Sequence, residues 1–318
     1  MAIRTSLFAV AIVAVLALTQ SESLGQTTKL RLGVNAPSTT SSVLFSLARN
    51  AGILQRHALD IEVVYIAGGT LSLQALIGKS LDLLDTGGTP FLHAYLKGAQ
   101  IKIIAGTTNR LPYTFVARSG IASPEQLKGK KLGISRFGST DDFAIKLALS
   151  ELGLDPKSDA SIVQVGGPPA RLSAMKSGAI DGTLLTTALA LVALKQGSNV
   201  LLDFTERRIE YQLSALVSRE EFLRDRPDTV KRFLRAFVEG IQYYKSHKEQ
   251  AIKKTMELAK VSDPEIAEAD VKVRAAALPD DGRPTVKGLQ LALKDIAEID
   301  PKAKTIKVNE VMDLNFLP

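Results

Sequence analysis

The sequence predicts an α/β protein of two similar, doubly wound lobes, and three observations carry that prediction. Short apolar runs rich in β-branched residues alternate with helical patterns of roughly ten to fifteen residues, as βαβ units and a mainly parallel sheet require. One such unit is written twice, about a hundred residues apart. With 318 residues, 45% of them hydrophobic and 23% charged, the chain is long enough for two packed cores.

Ahead of the first lobe, Arg4 precedes twelve apolar residues, Leu7 to Leu18, and then the polar stretch TQSESLGQTT. A basic start, an apolar run too short to span a bilayer, and small residues at Ser23 and Gly25 predict a signal peptide over 1–25, cleaved near Gly25–Gln26. The chain has no cysteine, so neither a lipid anchor nor a disulfide is expected. The mature chain is read as a free soluble protein of an exported compartment, the periplasm, and as a monomer. The net charge is +7. Arg4 and Glu22 cancel, so this excess survives cleavage and favours anionic ligands, if it is more than compositional drift. Its lysines and arginines are scattered without interleaved aromatics, which argues against a nucleic-acid surface.

Within the first lobe, LRLGV (30–34) reads as a buried strand, and the hydroxyl-rich APSTTSS (36–42) opens a helix. IEVVYIA (61–67) is a second strand, closed by Gly68-Gly69-Thr70 before a helix through Leu73, Leu76 and Ile77. LDLLDT and IKIIAG supply further strands around a helix near Phe91–Lys97. The pattern then restarts. Gly33 has a counterpart at Gly133, Thr39-Thr40 at Ser139-Thr140, Gly68-Gly69 at Gly166-Gly167, Leu73 at Leu172 and Asp82 at Asp181. Beyond Tyr211 come one more strand-like run, YQLSALVS, and a helical tail beginning near Pro227-Asp228, assigned to the first lobe. The predicted division is 26–112 with 213–318 for the first lobe and 113–212 for the second.

In open parallel sheets, ligands bind beyond the carboxyl ends of strands, where helix N-termini present unpaired N–H groups and partial positive charge. The chain puts hydroxyls and glycines at those points. The first lobe offers Ser38, Thr39, Thr40, Gly69, Thr70, Thr86, Gly87 and Thr89; the second offers Gly138, Ser139, Thr140, Thr186 and Thr187. Any one hydroxyl could equally be a helix cap, and Ser139-x-x-Asp142 has the spacing of a capping box. The first lobe's PSTTSS has no acid in its opening turn, whereas Asp141 and Asp142 in the second would repel an anion or attract an amine, unless they serve only the helix dipole. Arg110 and Arg136, near predicted strand ends, could grip a carboxylate, sulfonate or phosphate. Neither His57, His93 nor His247 has a metal-ligand spacing, no cysteine nucleophile exists, and no G-x-S-x-G or phosphate loop is present, so no cofactor or metal is expected.

The segments LRLGV, AGGTLSLQALIGKSLDLLDTGGTP, SPEQLKGKKLGISRFGSTDD and RLSAMKSGAIDGTLL resemble the periplasmic solute-binding proteins of ABC importers. The similar subgroup is that of alkanesulfonate, taurine and nitrate binders with the thiamin-precursor (NMT1-like) binders, over nearly all of 28–245. The resemblance implies a type II periplasmic binding protein fold, two lobes joined by two crossovers near Pro112–Tyr113 and Arg208–Leu213. It further implies a small polar or anionic solute (a sulfonate, nitrate, carboxylate or pyrimidine), an inner-membrane ABC permease as partner, and no enzymatic activity. One departure bears on the solute. Sulfonate binders carry aromatics after the second-lobe turn, whereas this chain has DGTLLTTALALV there and no tryptophan. A ligand sensor for a membrane receptor is the alternative, and an enzyme on the same scaffold, with His93 or Asp85 as base, is the remoter one.

Overall fold

A computed structural model describes residues 27–66, 68–207 and 209–318. The expected signal peptide, and Arg208 at the second expected crossover, lie outside the described residues. The strands are β1 (Thr28–Val34), β2 (Leu59–Tyr65), β3 (Leu83–Thr86), β4 (Ile101–Arg110), β5 (Tyr113–Ala117), β6 (Lys130–Ile134), β7 (Ala160–Gln164), β8 (Gly182–Thr186), β9 (Asn199–Asp203) and β10 (Glu210–Arg219). The helices of the first half are α1 (Thr40–Asn50), α2 (Ile53–Arg56), α3 (Gly69–Ile77) and α4 (Gly88–Leu96). Those of the second are α5 (Thr140–Glu151), α6 (Pro168–Lys176), α7 (Thr187–Lys195) and α8 (Phe204–Arg207). The tail holds α9 (Glu220–Asp225), α10 (Pro227–Ser246), α11 (Lys248–Ala259), α12 (Pro264–Ala277) and α13 (Val286–Ala297).

These form two five-stranded sheets of matching order, β2-β1-β3-β10-β4 and β7-β6-β8-β5-β9. In each, the β1- or β6-type strand pairs in parallel with both neighbours. The fourth strand is antiparallel and arrives from elsewhere in the chain. β4 ends at Arg110 in the first sheet and β5 begins at Tyr113 in the second, so one crossover runs through Leu111–Pro112. The return crossover is complete by Glu210, which already pairs with Arg110 in the first sheet. Each lobe therefore contains a strand donated by a crossover, and the two lobes cannot separate without tearing a sheet.

The hundred-residue repeat has a physical basis in the central strands. The Asp82 carboxylate accepts from the Arg31 N–H at 2.8 Å, and Asp181 accepts from the Lys131 N–H at 2.9 Å. Each aspartate thus pins the central parallel strand of its sheet. At the middle of that strand, a Cβ on Gly133 would lie 2.5 Å from Ile180 Cδ1, and one on Gly33 would strike Leu81. In either lobe a side chain at this position would have to displace that apolar neighbour.

Two apolar clusters dominate the interior. One fills the first lobe, where Phe45 of α1 stacks on Phe233 and Phe237 of α10, with ring centroids 5.2 and 6.0 Å apart. The other is continuous across both lobes, running from Phe91 and Leu92 through Leu289 and Leu293 of α13 to Leu132 and Phe143. Phe143 stacks on Tyr211, at the start of β10, at 4.7 Å. The tail, which the sequence assigns to the first lobe, also touches the second: α12 packs on α7, and Lys195 Nζ lies 2.8 Å from Asp263 Oδ2.

Candidate functional site

Both sheets aim the carboxyl ends of their parallel strands at one cleft of about 1490 Å³ between the lobes. From the first lobe it is bounded by the β1–α1 turn, the start and one face of α3, and one face of α4. From the second it is bounded by the β6–α5 turn and the first turns of α6 and α7. The lobes approach closely. A Cβ on Gly68 would lie 3.0 Å from Arg136 Nη2, and one on Gly138 would lie 3.8 Å from His93 Nε2.

Ten of the residues singled out in the sequence line this cleft: Ser38, Thr39, Gly69 and Thr70 on the first lobe, and Arg136, Gly138, Ser139, Thr140, Asp141 and Thr186 on the second. Their roles differ. Thr39 caps α1, its Oγ1 accepting from the Ser42 N–H at 3.1 Å, and Ser139 caps α5 by accepting from the Asp142 N–H at 3.3 Å. The remaining singled-out residues do not line the cleft. Thr40 is buried in the first turn of α1. Thr86 is 1% exposed beneath Gly69, its Oγ1 without a hydrogen-bond partner among the described residues. Gly87 is closed in by Pro90 and the Leu213 carbonyl. Thr89 Oγ1 is 2.6 Å from the Tyr211 hydroxyl, holding the start of β10. Thr187 buries its Oγ1. Arg110 sits at the end of β4 in register with Glu210, at the crossover, away from the cleft.

Asp141 neither repels an anion nor waits for an amine. Its carboxylate is ion-paired to the buried Arg171 guanidinium. It also accepts from the Ser135 N–H at 2.6 Å and lies 2.6 Å from the hydroxyls of Ser135 and Ser139. Arg171 Nη2 donates to the Leu184 carbonyl at 3.0 Å. The pair is internally neutral and locks the β6–α5 turn. Asp142 accepts from the Gly138 N–H at 2.9 Å and from Lys146 Nζ at 2.8 Å, a matching structural use.

With that acid neutralised, the charge left in the cleft is positive. Arg136 and Lys97 form no ion pair among the described residues, whereas Asp270 and Arg274 of α12 are paired with each other at 2.5 Å. Burial, with help from Lys97, pulls the His93 imidazole below its ordinary pKa, so at neutral pH it offers a neutral donor and acceptor. Arg136 stands between the N-termini of α3 and α5, and α3, which has no side-chain cap, adds its first N–H groups to the guanidinium's field. α3 has no acidic side chain in its first turn. Such a cleft can hold an anionic head group by a guanidinium and backbone N–H donors together.

Sequence reasoning missed part of the lining. Leu73 and Ile77 read as one helix face, but their exposure to the cleft depends on what faces them. Phe137 sits between Arg136 and Gly138, and a lone aromatic in a turn carries no pattern that marks a site. Asp270 and Arg274 are four apart in the tail, and nothing local ties them to a cleft whose two rims lie more than eighty residues earlier. Asp85, considered as a base, is 3% exposed and held by Thr107, whose hydroxyl donates to it at 2.8 Å. It does not face the cleft.

Two lobes of matching sheet order around a polar, helix-rimmed cleft define the periplasmic binding protein fold, and solved structures agree. The alkanesulfonate-binding protein SsuA of Xanthomonas axonopodis pv. citri, bound to MOPS, superposes with a TM-score of 0.70 at 18% identity, covering 91% of this chain and 99% of that one. The periplasmic aliphatic sulphonate binding protein SsuA of Escherichia coli gives 0.71 at 20% identity, covering 90% and 92%. Among curated relatives, a binding protein of Brucella abortus is 27% identical over 251 residues, 76% of this chain and 75% of its own. A protein of Bacillus subtilis named for binding aliphatic sulfonates is 24% identical over 201 residues, 62% of this chain and 59% of its own. The NMT1/THI5-like family model matches residues 39–251, and the chain belongs to that family.

Proposed function

We propose that this chain is the exported solute-binding subunit of an ABC importer and that it captures a small organic anion, with sulfonates the first class to test, between its two lobes. Arg136 carries the reading: an exposed guanidinium without an ion-pair partner among the described residues, set between two helix N-termini in a cleft whose acids are already paired. The names of the Xanthomonas, Escherichia and Bacillus proteins support sulfonates as that first class. The apolar N-terminal run supports export to the periplasm. Delivery would be by a monomer docking on a membrane permease. No helix among the described residues is long and apolar enough to cross a membrane.

The test is thermal unfolding of the mature protein with sulfonates, carboxylates, nitrate and pyrimidines, since a ligand that binds only the folded state raises Tm. At a hundredfold excess over Kd the stabilisation is about 2.7 kcal/mol. The shift is expected for anions and is expected to shrink in Arg136→Gln. A panel that leaves Tm unchanged would remove solute capture as the function of this chain.

A further inference from the structure

The cleft breaks the symmetry of the lobes that form it. The second lobe presents only the first turns of its helices, whereas the first presents helix faces. On α3 the lining positions are Gly69, Thr70, Leu73, Gln74 and Ile77, and on α4 they are Pro90, His93 and Ala94, with Lys97 just beyond its end. These are three- and four-residue steps along one side of each helix, so the wall runs parallel to the axes. From Gly69 to Ile77 it extends about 12 Å at 1.5 Å per residue. Along that length it runs from the polar N-termini beside Arg136 to the exposed Ile77, with Leu73 largely buried and Gln74, His93 and Lys97 adding polar points beside it. Facing apolar surface comes from Phe137 and Leu189 of the second lobe. Phe137 is 59% exposed and Ile77 46%, large apolar side chains left open in a concave site. A compact anion such as nitrate or taurine held at Arg136 would leave Ile77 and most of this wall uncovered.

Resting on the anion-capture reading above, we infer that the solute is an elongated amphiphile, with one anionic head at Arg136 and a long apolar body lying along α3 and α4 against Phe137 and Leu189. Compact anions are poor ligands of this cleft. The head is fixed by the guanidinium and helix N–H donors, and affinity comes mainly from the body. Each methylene covered along the wall strengthens binding about three- to fourfold.

The experiment is calorimetric titration of the mature chain with the straight-chain 1-alkanesulfonates from methane- to decanesulfonate, with taurine, nitrate and an alkyltrimethylammonium of matched length alongside. Kd is expected to fall about three- to fourfold per methylene until the chain spans the wall, and the cation is expected not to bind. Ile77→Ser and Phe137→Ser, both at exposed positions, are expected to weaken octanesulfonate by about tenfold and butanesulfonate by less, with Tm of the unliganded protein nearly unchanged. A Kd independent of chain length, equal affinity for taurine or nitrate, or equal binding of the cation would overturn the inference. The first two results would leave anion capture standing as a compact-anion clamp. Absence of binding by every anion would overturn both.

Discussion

Asp85 shows how much a single buried carboxyl can contribute to the pH response of this molecule. It is 3% exposed at the end of β3, and burial outweighs the hydrogen bond it receives from the Thr107 hydroxyl, so its pKa rises to about 6 from an ordinary 3.8. The folded state therefore holds this proton more tightly than the unfolded chain. Stability from this group is present below pH 4, falls as pH rises from about 4 to 6, and is flat above. Two pH units at 1.36 kcal/mol each make the effect about 3 kcal/mol. Unfolding by urea at pH 4 and pH 7 is expected to show Asp85→Asn gaining about 3 kcal/mol relative to wild type across that interval. A difference independent of pH would place the carboxyl in a more polar setting than its contacts imply. The role of Asp85 was not legible in the sequence, because the hydroxyl that holds it, Thr107, comes from β4, twenty-two residues on. The same holds for Asp141. Its position at a helix start was plain, but its charge could be interpreted only once Arg171, thirty residues away, was seen beneath it.

Among the elements, the turns leading into α1 and α5 are the best example of what a local pattern can and cannot say. Hydroxyls before an apolar periodic run predict a helix start, and Thr39 and Ser139 are the caps of α1 and α5. Position in the cleft rim and function as a cap are compatible, so the residue type alone does not separate them. Thr39→Ala is expected to lower unfolding free energy by about 1 kcal/mol with little change in anion affinity, since the hydroxyl is already engaged with Ser42. A large loss of affinity at unchanged stability would assign Thr39 to the solute instead. The repeated glycines and aspartates were legible because each acts on its own strand–turn unit, at the same offset in both lobes. Strands β5 and β10 were legible as strands but not as partners, since each is inserted antiparallel into a sheet whose other members lie far off in sequence. Ile77 and Phe137 became site residues only when two separate lobes faced each other.

For the whole molecule, the arrangement of strands sets how it can move. Both crossovers enter their sheets next to the outer strands β4 and β9, and β2 and β7 lie at the opposite edges. Rotation about the crossovers therefore displaces β2 and β7 most. Contacts across the cleft, Arg136 over Gly68 and His93 beside Gly138, describe lobes close to one another. The α12–α7 contact and the Lys195–Asp263 pair add a tie on the tail side, and an exposed pair of this kind is worth at most about 1 kcal/mol. Such a molecule suits a clamp whose open and closed states differ by little and whose solute supplies the difference. The chain contains no cysteine, so Glu62→Cys on β2 and Ser161→Cys on β7 can carry spin labels without background. Pulsed electron–electron distance measurement on that doubly labelled protein, with and without a saturating anion whose binding calorimetry has established, tests the clamp directly. The expected result is a broad distribution that shortens and narrows with the anion. An unchanged distribution on a protein that binds the anion would contradict closure of the two lobes on their solute.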